Sequence, residues 1–314
     1  MVKRPKLSVH NLQIRFDMFR DWHRVIDDLS FECPANQVLA VLGESGCGKS
    51  VIAKSIIGIL DDRTSITGEI YLDDLDLLKL NEQQMAAIRG NRIAYIPQNP
   101  DLALNPLKRI KHQLIEPLMV HRLADRTQSV TAALQILEKL DFKNPSAIIN
   151  MYPHQLSGGM KQRIMIAAAM LIQPEVIIAD EPSKALDEFN REIIIEKLKK
   201  AKHILQAATL LITHDLDLAA ILSDTTAVMY AGEIVESSPT SSFFTEPFHP
   251  YSRALLQSSP EMGFRPITGS SPEPGHYPGG CRFHPRCGRR MPICEDQKPE
   301  MVSTDQGQVK CHLY

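Results

Sequence analysis

The stretch VLAVLGESGCGKS, residues 38 to 50, decides how the rest of the chain is interpreted. Its first five residues are apolar and rich in strand formers, and residues 43 to 50 fit the pattern G-x-x-x-x-G-K-[ST], which opens a helix. Glycines let the backbone wrap closely around a phosphate, and N–H groups at a helix N-terminus carry about half a positive charge. The stretch therefore predicts a strand, a phosphate-binding loop and a helix in an α/β fold.

Two side chains at the end of this loop have the chemistry to bind a nucleoside triphosphate. Lys49 is expected to reach the β- and γ-phosphates, and Ser50 to bind Mg²⁺. We interpret Cys47 as a small residue tolerated in the loop, not as a reactive thiol. The predicted nucleotide contacts of the loop and of the residue after it are Gly43, Glu44, Ser45, Gly46, Cys47, Gly48, Lys49, Ser50 and Val51.

A second apolar run, VIIADEP at residues 176–182, ends in two acids. A buried strand that delivers Asp180 and Glu181 to its carboxyl end would place one carboxylate beside Mg²⁺ and the next beside the γ-phosphate. There Glu181 could orient or deprotonate a water molecule. The pair therefore predicts hydrolysis of the nucleotide as well as binding.

Composition limits the other classes of function. The chain has 314 residues, 43% of them hydrophobic, which allows about two domains with sizeable cores. Its 35 basic and 37 acidic residues give a formal net charge of −2, so no overall field favours nucleic acid. No apolar segment follows the basic residues at the start, and the longest apolar run, residues 164–172, is about half of a bilayer span. We expect a cytosolic chain, in which clustered cysteines more often bind metal than form disulfides.

Three further motifs occur in a fixed order with the phosphate loop and the acidic strand end. They are YIPQNP around Gln98, LSGGMKQR at residues 156–163 and LITHDL around His214. Together the five motifs resemble the nucleotide-binding subunit of an ATP-binding-cassette (ABC) transporter. The resemblance implies a P-loop ABC nucleotide-binding domain over residues 1–240, with an inserted helical subdomain at about 99–160, followed by a C-terminal extension over 241–314. Amphipathic stretches between Asn99 and Pro153 fit that subdomain.

The resemblance also implies roles for individual residues. Gln98 would touch Mg²⁺ and the attacking water, and His214 the γ-phosphate, so that the catalytic set is Glu181, His214 and Gln98. Phe16 best matches the aromatic residue that stacks on adenine, with Phe19 and Trp22 as competitors. The Mg²⁺ ligands would be Ser50, Gln98 and Asp180. The residues expected to act across a pair of ATP-bound subunits are Ser157, Gly158, Gly159 and Asp187.

The tail contains HPYSRALL at residues 249–256, a proline- and glycine-rich stretch at 263–280, which we expect to hold no regular structure, and four cysteines. This combination is similar to the dipeptide and oligopeptide importer branch of the family. In that branch the four cysteines, here Cys281, Cys287, Cys294 and Cys311, resemble ligands of a [4Fe–4S] cluster. Thiolates also suit zinc, but the spacing C-x5-C-x6-C-x16-C lacks the close pairs of zinc ribbons.

We expect the metal group to be structural or regulatory, since nothing in the sequence places it near the phosphate site. The basic residues expected to surround the thiolates are Arg282, Arg286, Arg289 and Arg290.

The resemblance implies an ATPase on the cytoplasmic face of a bacterial membrane that drives uptake of dipeptides or oligopeptides. Its partners would be a second, related ATPase, two membrane permeases and an extracytoplasmic substrate-binding protein. One alternative is an importer of nickel or a metal chelate, which uses similar subunits. Another is a DNA-repair or ribosome-associated ABC ATPase, against which the single phosphate loop and the lack of basic excess argue.

Overall fold

The computed structural model describes residues 5–18, 21–184, 186–259 and 263–314. The strands are β1 Pro5–Met18, β2 Asp21–Pro34, β3 Val38–Leu42, β4 Thr64–Leu72, β5 Leu75–Asp76, β6 Ile93–Ile96, β7 Val176–Asp180, β8 Ala208–Ile212, β9 Thr225–Tyr230, β10 Glu233–Pro239, β11 Val302–Thr304 and β12 Gly307–Val309. The α-helices are α1 Lys49–Ile56, α2 Glu82–Ile88, α3 Pro100–Ala103, α4 Ile110–Val120, α5 Arg126–Lys139, α6 Pro145–Ile148, α7 Gly158–Leu171, α8 Glu188–Leu205, α9 Leu216–Leu222, α10 Thr240–Thr245, α11 Pro250–Gln257 and α12 Ile293–Asp296. Mixed α/β content is therefore confirmed.

The chain forms two compact units, residues 1–79 with 211–314, and residues 80–210. The C-terminal segment thus folds in the same unit as the N-terminal strands. The division does not fall at residue 240, and the domain boundary given by the resemblance stays a prediction.

In the first unit, one sheet has the strand order β11-β12-β10-β9-β3, with β8 next to β3. Strand β3 is buried along its whole length, because it has neighbours on both edges and lacks polar side chains. It runs parallel to β9, and the buried Thr213, directly after β8, donates its backbone N–H to the carbonyl of Val41 at 3.1 Å. The ends of β3 and β8 therefore lie at the same edge of the sheet.

A second, antiparallel sheet of this unit has the order β2-β1-β4-β5. Its long strands alternate buried and exposed residues over part of their length, as in β2 from Ile26 to Pro34. That alternation is the pattern of a sheet with one face packed on a core and one in solvent.

In the second unit, β6 and β7 pair in parallel, with Ile96 opposite Ala179. Short helices occupy much of the segment between residues 99 and 160, as the amphipathic pattern predicts. Helices α2 and α5 begin at Asn81 and Asp125, which form capping boxes with a glutamine three residues on. No helix of the described ranges is long and apolar enough to cross a bilayer.

The C-terminal segment is anchored by β12, which pairs with β10 and, with β11, extends the sheet of the first unit. Residues 263–280 contain no helix or strand, so the predicted irregular stretch is confirmed. A buried ion-pair network also anchors the tail, with Asp27 of β2 and Glu233 of β10 facing three cations. Those cations are Arg282, Lys298 and Lys310.

This network depends on Asp27, whose side chain is almost fully buried. Burial alone would raise its pKa, but the hydrogen bond from Lys298 and the charges of Arg282, Lys298 and Arg24 lower that pKa to about 2. Since the pKa lies below the unfolded value of about 4, the stabilisation is present at neutral pH and is lost as the pH falls towards 2.

Asp27→Asn should lower the free energy of unfolding by about 3 kcal/mol at pH 7, because the largely buried guanidinium of Arg282 loses a charged partner. Urea denaturation followed by the fluorescence of Trp22, the only tryptophan of the sequence, reports on this unit. The matched control is Asp28→Asn at an exposed neighbour, with an expected change of less than about 0.5 kcal/mol. Equal urea midpoints for the two variants would contradict the role of the network.

Candidate nucleotide-binding site

The phosphate loop follows β3 directly and is shaped by glycines that no other residue could replace without strain. A Cβ on Gly43 would lie 2.3 Å from the carbonyl oxygen of Met229, the last but one residue of β9. Gly48 has φ +107°, in the left-handed region, and a Cβ there would lie 2.7 Å from the side chain of Ile26. The loop therefore packs against β9 and β2 while Ser45 and Gly46 stay exposed.

Lys49 closes the loop from inside. Its Nζ donates hydrogen bonds to the carbonyl oxygens of Gly43 at 2.8 Å and Glu44 at 3.0 Å, and the side chain is buried. Helix α1 begins at Lys49, and no side chain caps its N-terminus, which carries the positive end of the helix dipole. The loop thus has the cradle and the cation that a polyphosphate requires.

Cys47 is buried in the loop, and burial raises the pKa of its thiol. A thiol whose pKa is raised stays protonated at neutral pH and is therefore a poor nucleophile. The geometry therefore supports the interpretation of Cys47 as a small packing residue.

Glu44, the second residue of the loop, contacts the C-terminal segment of the same unit. Its carboxylate accepts hydrogen bonds from the guanidinium of Arg286 at 2.7 and 3.0 Å and from Ser271 at 2.8 Å. Burial opposes ionisation of Glu44, but these hydrogen bonds lower its pKa below the ordinary value. Its backbone N–H donates to the hydroxyl of Tyr251 at 2.9 Å.

Nothing in the sequence placed the metal group near the phosphate site, whereas these contacts bring Arg286, the residue before Cys287, to Glu44 of the phosphate loop. The guanidinium groups of Arg282 and Arg286 pair with the carboxylates of Asp27 and Glu44, and the expectation that they surround the thiolates stays a prediction. Sequence reasoning missed Tyr251, Ser271 and Arg286 as neighbours of the loop. A visible signal for Tyr251 was its place in the HPY motif.

The remaining predicted residues of the first unit lie in two places. His214 is exposed and follows the end of β8, at the sheet edge where the phosphate loop begins. Phe16 is half-buried in β1 opposite His23 of β2, while Trp22 is 52% exposed. Phe19 lies outside the described residues. The choice of adenine-stacking residue among these aromatics stays a prediction.

The second unit brings Gln98, Asp180 and Glu181 to one edge of its strands. Gln98 follows β6 by two residues, Asp180 ends the parallel β7, and Glu181 comes next. Asp180 is buried and accepts a hydrogen bond from the hydroxyl of Tyr95 at 3.2 Å. Burial and the Asp180 carboxylate raise the pKa of Tyr95, which stays a hydrogen-bond donor.

Glu181 has φ +49°, in the left-handed region that non-glycine residues rarely adopt. The chain turns sharply here, and the carbonyl of Glu181 accepts the N–H of Lys184 at 3.1 Å. Such strain concentrates at functional sites, where the surrounding structure enforces it.

The signature residues open helix α7 in the same unit. Ser157 is its N-cap and accepts the N–H of Met160 at 3.3 Å. Close packing requires glycine at position 159, since a Cβ there would lie 2.5 Å from the side chain of Asn190 in α8. The Asn190 side chain in turn donates a hydrogen bond to the carboxylate of Asp187. A Cβ on Gly158 would meet nothing within 4 Å, so its surface is open to an approaching ligand.

The four tail cysteines belong to the first unit. Cys294 and Cys311 are buried, and Cys281 and Cys287 are partly buried. Burial is the main cause that raises the pKa of the Cys281 thiol to about 11, and the thiols of the other three tail cysteines also raise it. Within the described ranges, no three His, Cys, Asp or Glu side chains form a group that could hold one metal ion. A metal-binding role for these cysteines is therefore not confirmed.

Lys49→Ala should weaken ATP binding by about 100-fold, because the loop loses its cation and the two bonds that close it. Titration of the purified chain with a fluorescent ATP analogue measures the dissociation constant. Lys54→Ala, on the exposed face of the same helix, is the control and should bind like the natural chain. Unchanged affinity in the Lys49 variant would exclude this loop as the phosphate site.

Comparison with known proteins identifies two families. The family described as "ABC transporter" matches residues 26–184, which include the phosphate loop and both acids. The family described as "Oligopeptide/dipeptide transporter, C-terminal region" matches residues 235–294, which include Tyr251 and Arg286. A solved dimeric structure of MJ0796, titled a bacterial ABC transporter cassette, has a TM-score of 0.66 at 26% identity. It covers 74% of this chain and 98% of its own.

Curated relatives match over almost the full length. The oligopeptide transport ATP-binding protein AppD of Bacillus subtilis is 36% identical, with 98% of this chain and 96% of the relative covered. The dipeptide transport ATP-binding protein DppD of the same organism is also 36% identical, with 98% and 94% covered. OppD of Lactococcus lactis, an oligopeptide transport ATP-binding protein, is 40% identical over 81% of this chain and 75% of its own length. The chain therefore belongs to the ABC transporter family of ATP-binding proteins and carries the C-terminal region of its oligopeptide/dipeptide branch.

Proposed function

We propose that this chain is the ATP-hydrolysing subunit of a bacterial importer of dipeptides or oligopeptides. The observation that carries the proposal is the phosphate loop, with Lys49 buried inside it, in one chain with the oligopeptide/dipeptide C-terminal region. The loop supplies ATP binding, and the acids after β7 supply the groups for hydrolysis. The curated relatives, named as oligopeptide and dipeptide transport proteins, support the cargo class.

The residues of the loop would bind the triphosphate. Lys49 would exchange its bonds to the carbonyls of Gly43 and Glu44 for the β- and γ-phosphate oxygens, and the N–H groups of the loop would face the same anion. The chemistry of Ser50, Gln98 and Asp180, a hydroxyl, an amide oxygen and a carboxylate, suits Mg²⁺, which would neutralise charge on the phosphates. Tyr95 would keep Asp180 oriented for that role.

Glu181 is the proposed general base, which would accept a proton from the attacking water. It lies at a backbone turn with φ +49°, directly after Asp180 at the end of β7, so the two neighbouring carboxylates are proposed to serve separate tasks. Gln98 would help to orient the water, and His214 would contact the γ-phosphate, as the family resemblance implies. Both follow the ends of strands, where a side chain can reach a ligand beyond the sheet.

A pair of ATPase chains is the proposed working form. Ser157, Gly158 and Gly159 would bind the γ-phosphate held by the partner chain, with Asp187 near the same interface. The open surface of Gly158 and the N-terminus of α7 support this anion-binding role. We propose a heterodimer with a related ATPase, joined to two membrane permeases on the cytoplasmic face and served by an extracytoplasmic substrate-binding protein.

The alternatives are less well supported. A nickel or metal-chelate importer would use the same ATPase chemistry, but the matched C-terminal region is described for oligopeptide and dipeptide transporters. A DNA-repair or ribosome-associated ATPase would be expected to carry basic excess, whereas the formal net charge is −2.

For the tail, we propose that Cys281, Cys287, Cys294 and Cys311 hold a [4Fe–4S] cluster. Four thiols in one segment of the first unit, two of them buried and two partly buried, are a suitable donor set. Backbone N–H groups of Arg289 and Met291 donate to the Sγ atoms of Cys287 and Cys294 at 3.4 and 3.5 Å, bonds of the kind that stabilise ligating thiolates. A single zinc ion is the alternative, but the spacing C-x5-C-x6-C-x16-C lacks the close cysteine pairs of zinc ribbons.

Glu181→Gln should bind ATP as the natural chain does but hydrolyse it at least about 100-fold more slowly, because the amide keeps the shape and cannot accept the proton. The measurement is phosphate release by the chain assembled with its partners. Glu188→Gln, an exposed acid in the first turn of α8, is the control and should keep the normal rate. Near-normal hydrolysis by the Glu181 variant would refute the proposed base.

Cys287→Ser should abolish cluster binding, because an alcohol is a weak iron ligand in place of a thiolate. Iron analysis and visible absorbance of anaerobically reconstituted chain should fall from about four irons towards none. Cys33→Ala, a buried cysteine of β2, is the control and should retain the iron. Full absorbance in the Cys287 variant would remove that residue from the ligand set.

A further inference from the structure

We propose that Arg286 is a positioning residue for ATP binding, which holds the phosphate loop in its binding conformation through Glu44. The inference rests on the proposed role of the loop as the phosphate site. It assigns to the C-terminal segment, which lies more than 200 residues away in sequence, a direct effect on nucleotide affinity. Arg286 touches neither phosphate nor water in this scheme and acts only through the loop.

The first observation is the geometry of the contact. Two nitrogens of the Arg286 guanidinium donate to the two oxygens of Glu44, at 2.7 and 3.0 Å, in a bidentate arrangement. The Arg286 side chain is only 5% exposed, so the ion pair is shielded from solvent on that side. Arg286 is fixed in turn, since its Nε donates to the carbonyl of Thr268 at 3.0 Å and its guanidinium lies over the ring of Tyr230. A bidentate, shielded pair fixes direction as well as distance.

The second observation is that the main chain of Glu44 is held as well. Its N–H donates to the hydroxyl of the fully buried Tyr251, and its carbonyl accepts from Lys49. Tyr251 packs against Tyr230 and Phe283, with ring centroids 4.6 and 5.3 Å away. The residue beside Gly43 is thus held at its N–H, its carbonyl and its side chain, two of these by groups from the C-terminal segment.

Fixing this residue matters because the loop binds phosphate with its backbone. N–H groups that already point inward cost no ordering when the ligand arrives, whereas a loose loop must be ordered at the expense of affinity. When ATP draws Lys49 away from the carbonyl of Glu44, the bonds from Arg286 and Tyr251 still hold the loop. We call the contacts of Arg286 and Tyr251 with Glu44 the clamp. The clamp is therefore expected to affect nucleotide affinity much more than the rate of the chemical step.

The clamp also depends on the cysteine segment. Arg286 lies next to Cys287, and Phe283, which supports Tyr251, lies two residues after Cys281. Any change that rearranges residues 281–287 would therefore move Arg286 relative to Glu44. The chain joins Cys287 directly to Arg286, and the ion pair of Arg286 with Glu44 continues this connection to the phosphate loop.

The test measures ATP affinity and hydrolysis for Arg286→Ala, with Arg265→Ala, an exposed arginine of the same segment, as the control. We expect the dissociation constant of a fluorescent ATP analogue to rise about tenfold in the Arg286 variant. The rise is limited because only part of the free energy lost with the bidentate ion pair affects ligand binding. The turnover rate at saturating ATP should stay within about twofold, since no reacting group is changed. The control should match the natural chain in both.

Three further variants separate positioning from a loss of structure. Arg286→Lys should give an intermediate affinity, because an ammonium keeps the charge but not the bidentate bonds. Tyr251→Phe, which keeps the ring and removes only the hydroxyl, should also weaken binding and serves if Arg286→Ala does not fold. In a Glu44→Ala background, Arg286→Ala should cause no further loss, since the two residues act as one unit.

Failure of the inference is distinguishable from failure of the proposed function. If the natural chain binds no nucleotide, the proposed function fails. If it binds ATP and Arg286→Ala and Tyr251→Phe bind equally well, the inference is overturned. Additive losses in the Glu44→Ala background would also overturn it, because Arg286 would then act by another path.

Discussion

A loop that binds phosphate must keep its backbone N–H groups turned inward, and the rest of this structure is arranged around that constraint. Gly43 lies so close to the carbonyl of Met229 that a side chain there would clash. Lys49, whose side chain is buried in the loop, fixes its shape by donating hydrogen bonds to two of its carbonyl oxygens. Burial of β3 on both sides of its sheet then fixes the point from which the loop starts.

The C-terminal segment adds a second layer to this arrangement. Ion pairs of the largely buried Arg282 and of the more exposed Lys298 with the buried carboxylates of Asp27 and Glu233 anchor the segment to β2 and β10. Breaking one partner of such a pair is costly, because it leaves a charge buried without compensation. Arg286 and Tyr251 extend from this anchored segment to Glu44. The sequence comparison identifies this segment only as the C-terminal region of oligopeptide/dipeptide transporters. In the structure, its residues Arg286 and Tyr251 contact the candidate phosphate loop.

Much of the site could be predicted from the sequence because its motifs are local. The strand, loop and helix at residues 38–50 and the acids that end β7 each occupy a few consecutive residues, and the structure places them as expected. The contact between Glu44 and Arg286 joins residues 242 positions apart, and no local pattern encodes such a pairing. The arginines near the cysteines were expected to offset thiolate charge, but Arg282 and Arg286 pair with carboxylates of the folded core.

As proposed above, this chain is an ATPase that drives uptake of peptides, and its C-terminal segment helps to set its affinity for nucleotide. The most direct test of the claim that this ATPase drives peptide import is an uptake measurement. It follows labelled peptides and nickel in cells that carry either the natural chain or a hydrolysis-deficient one. We predict that the deficient chain abolishes uptake of dipeptides or oligopeptides and leaves nickel uptake unchanged. Loss of nickel uptake with normal peptide uptake would contradict the account and assign the same ATPase mechanism to metal import.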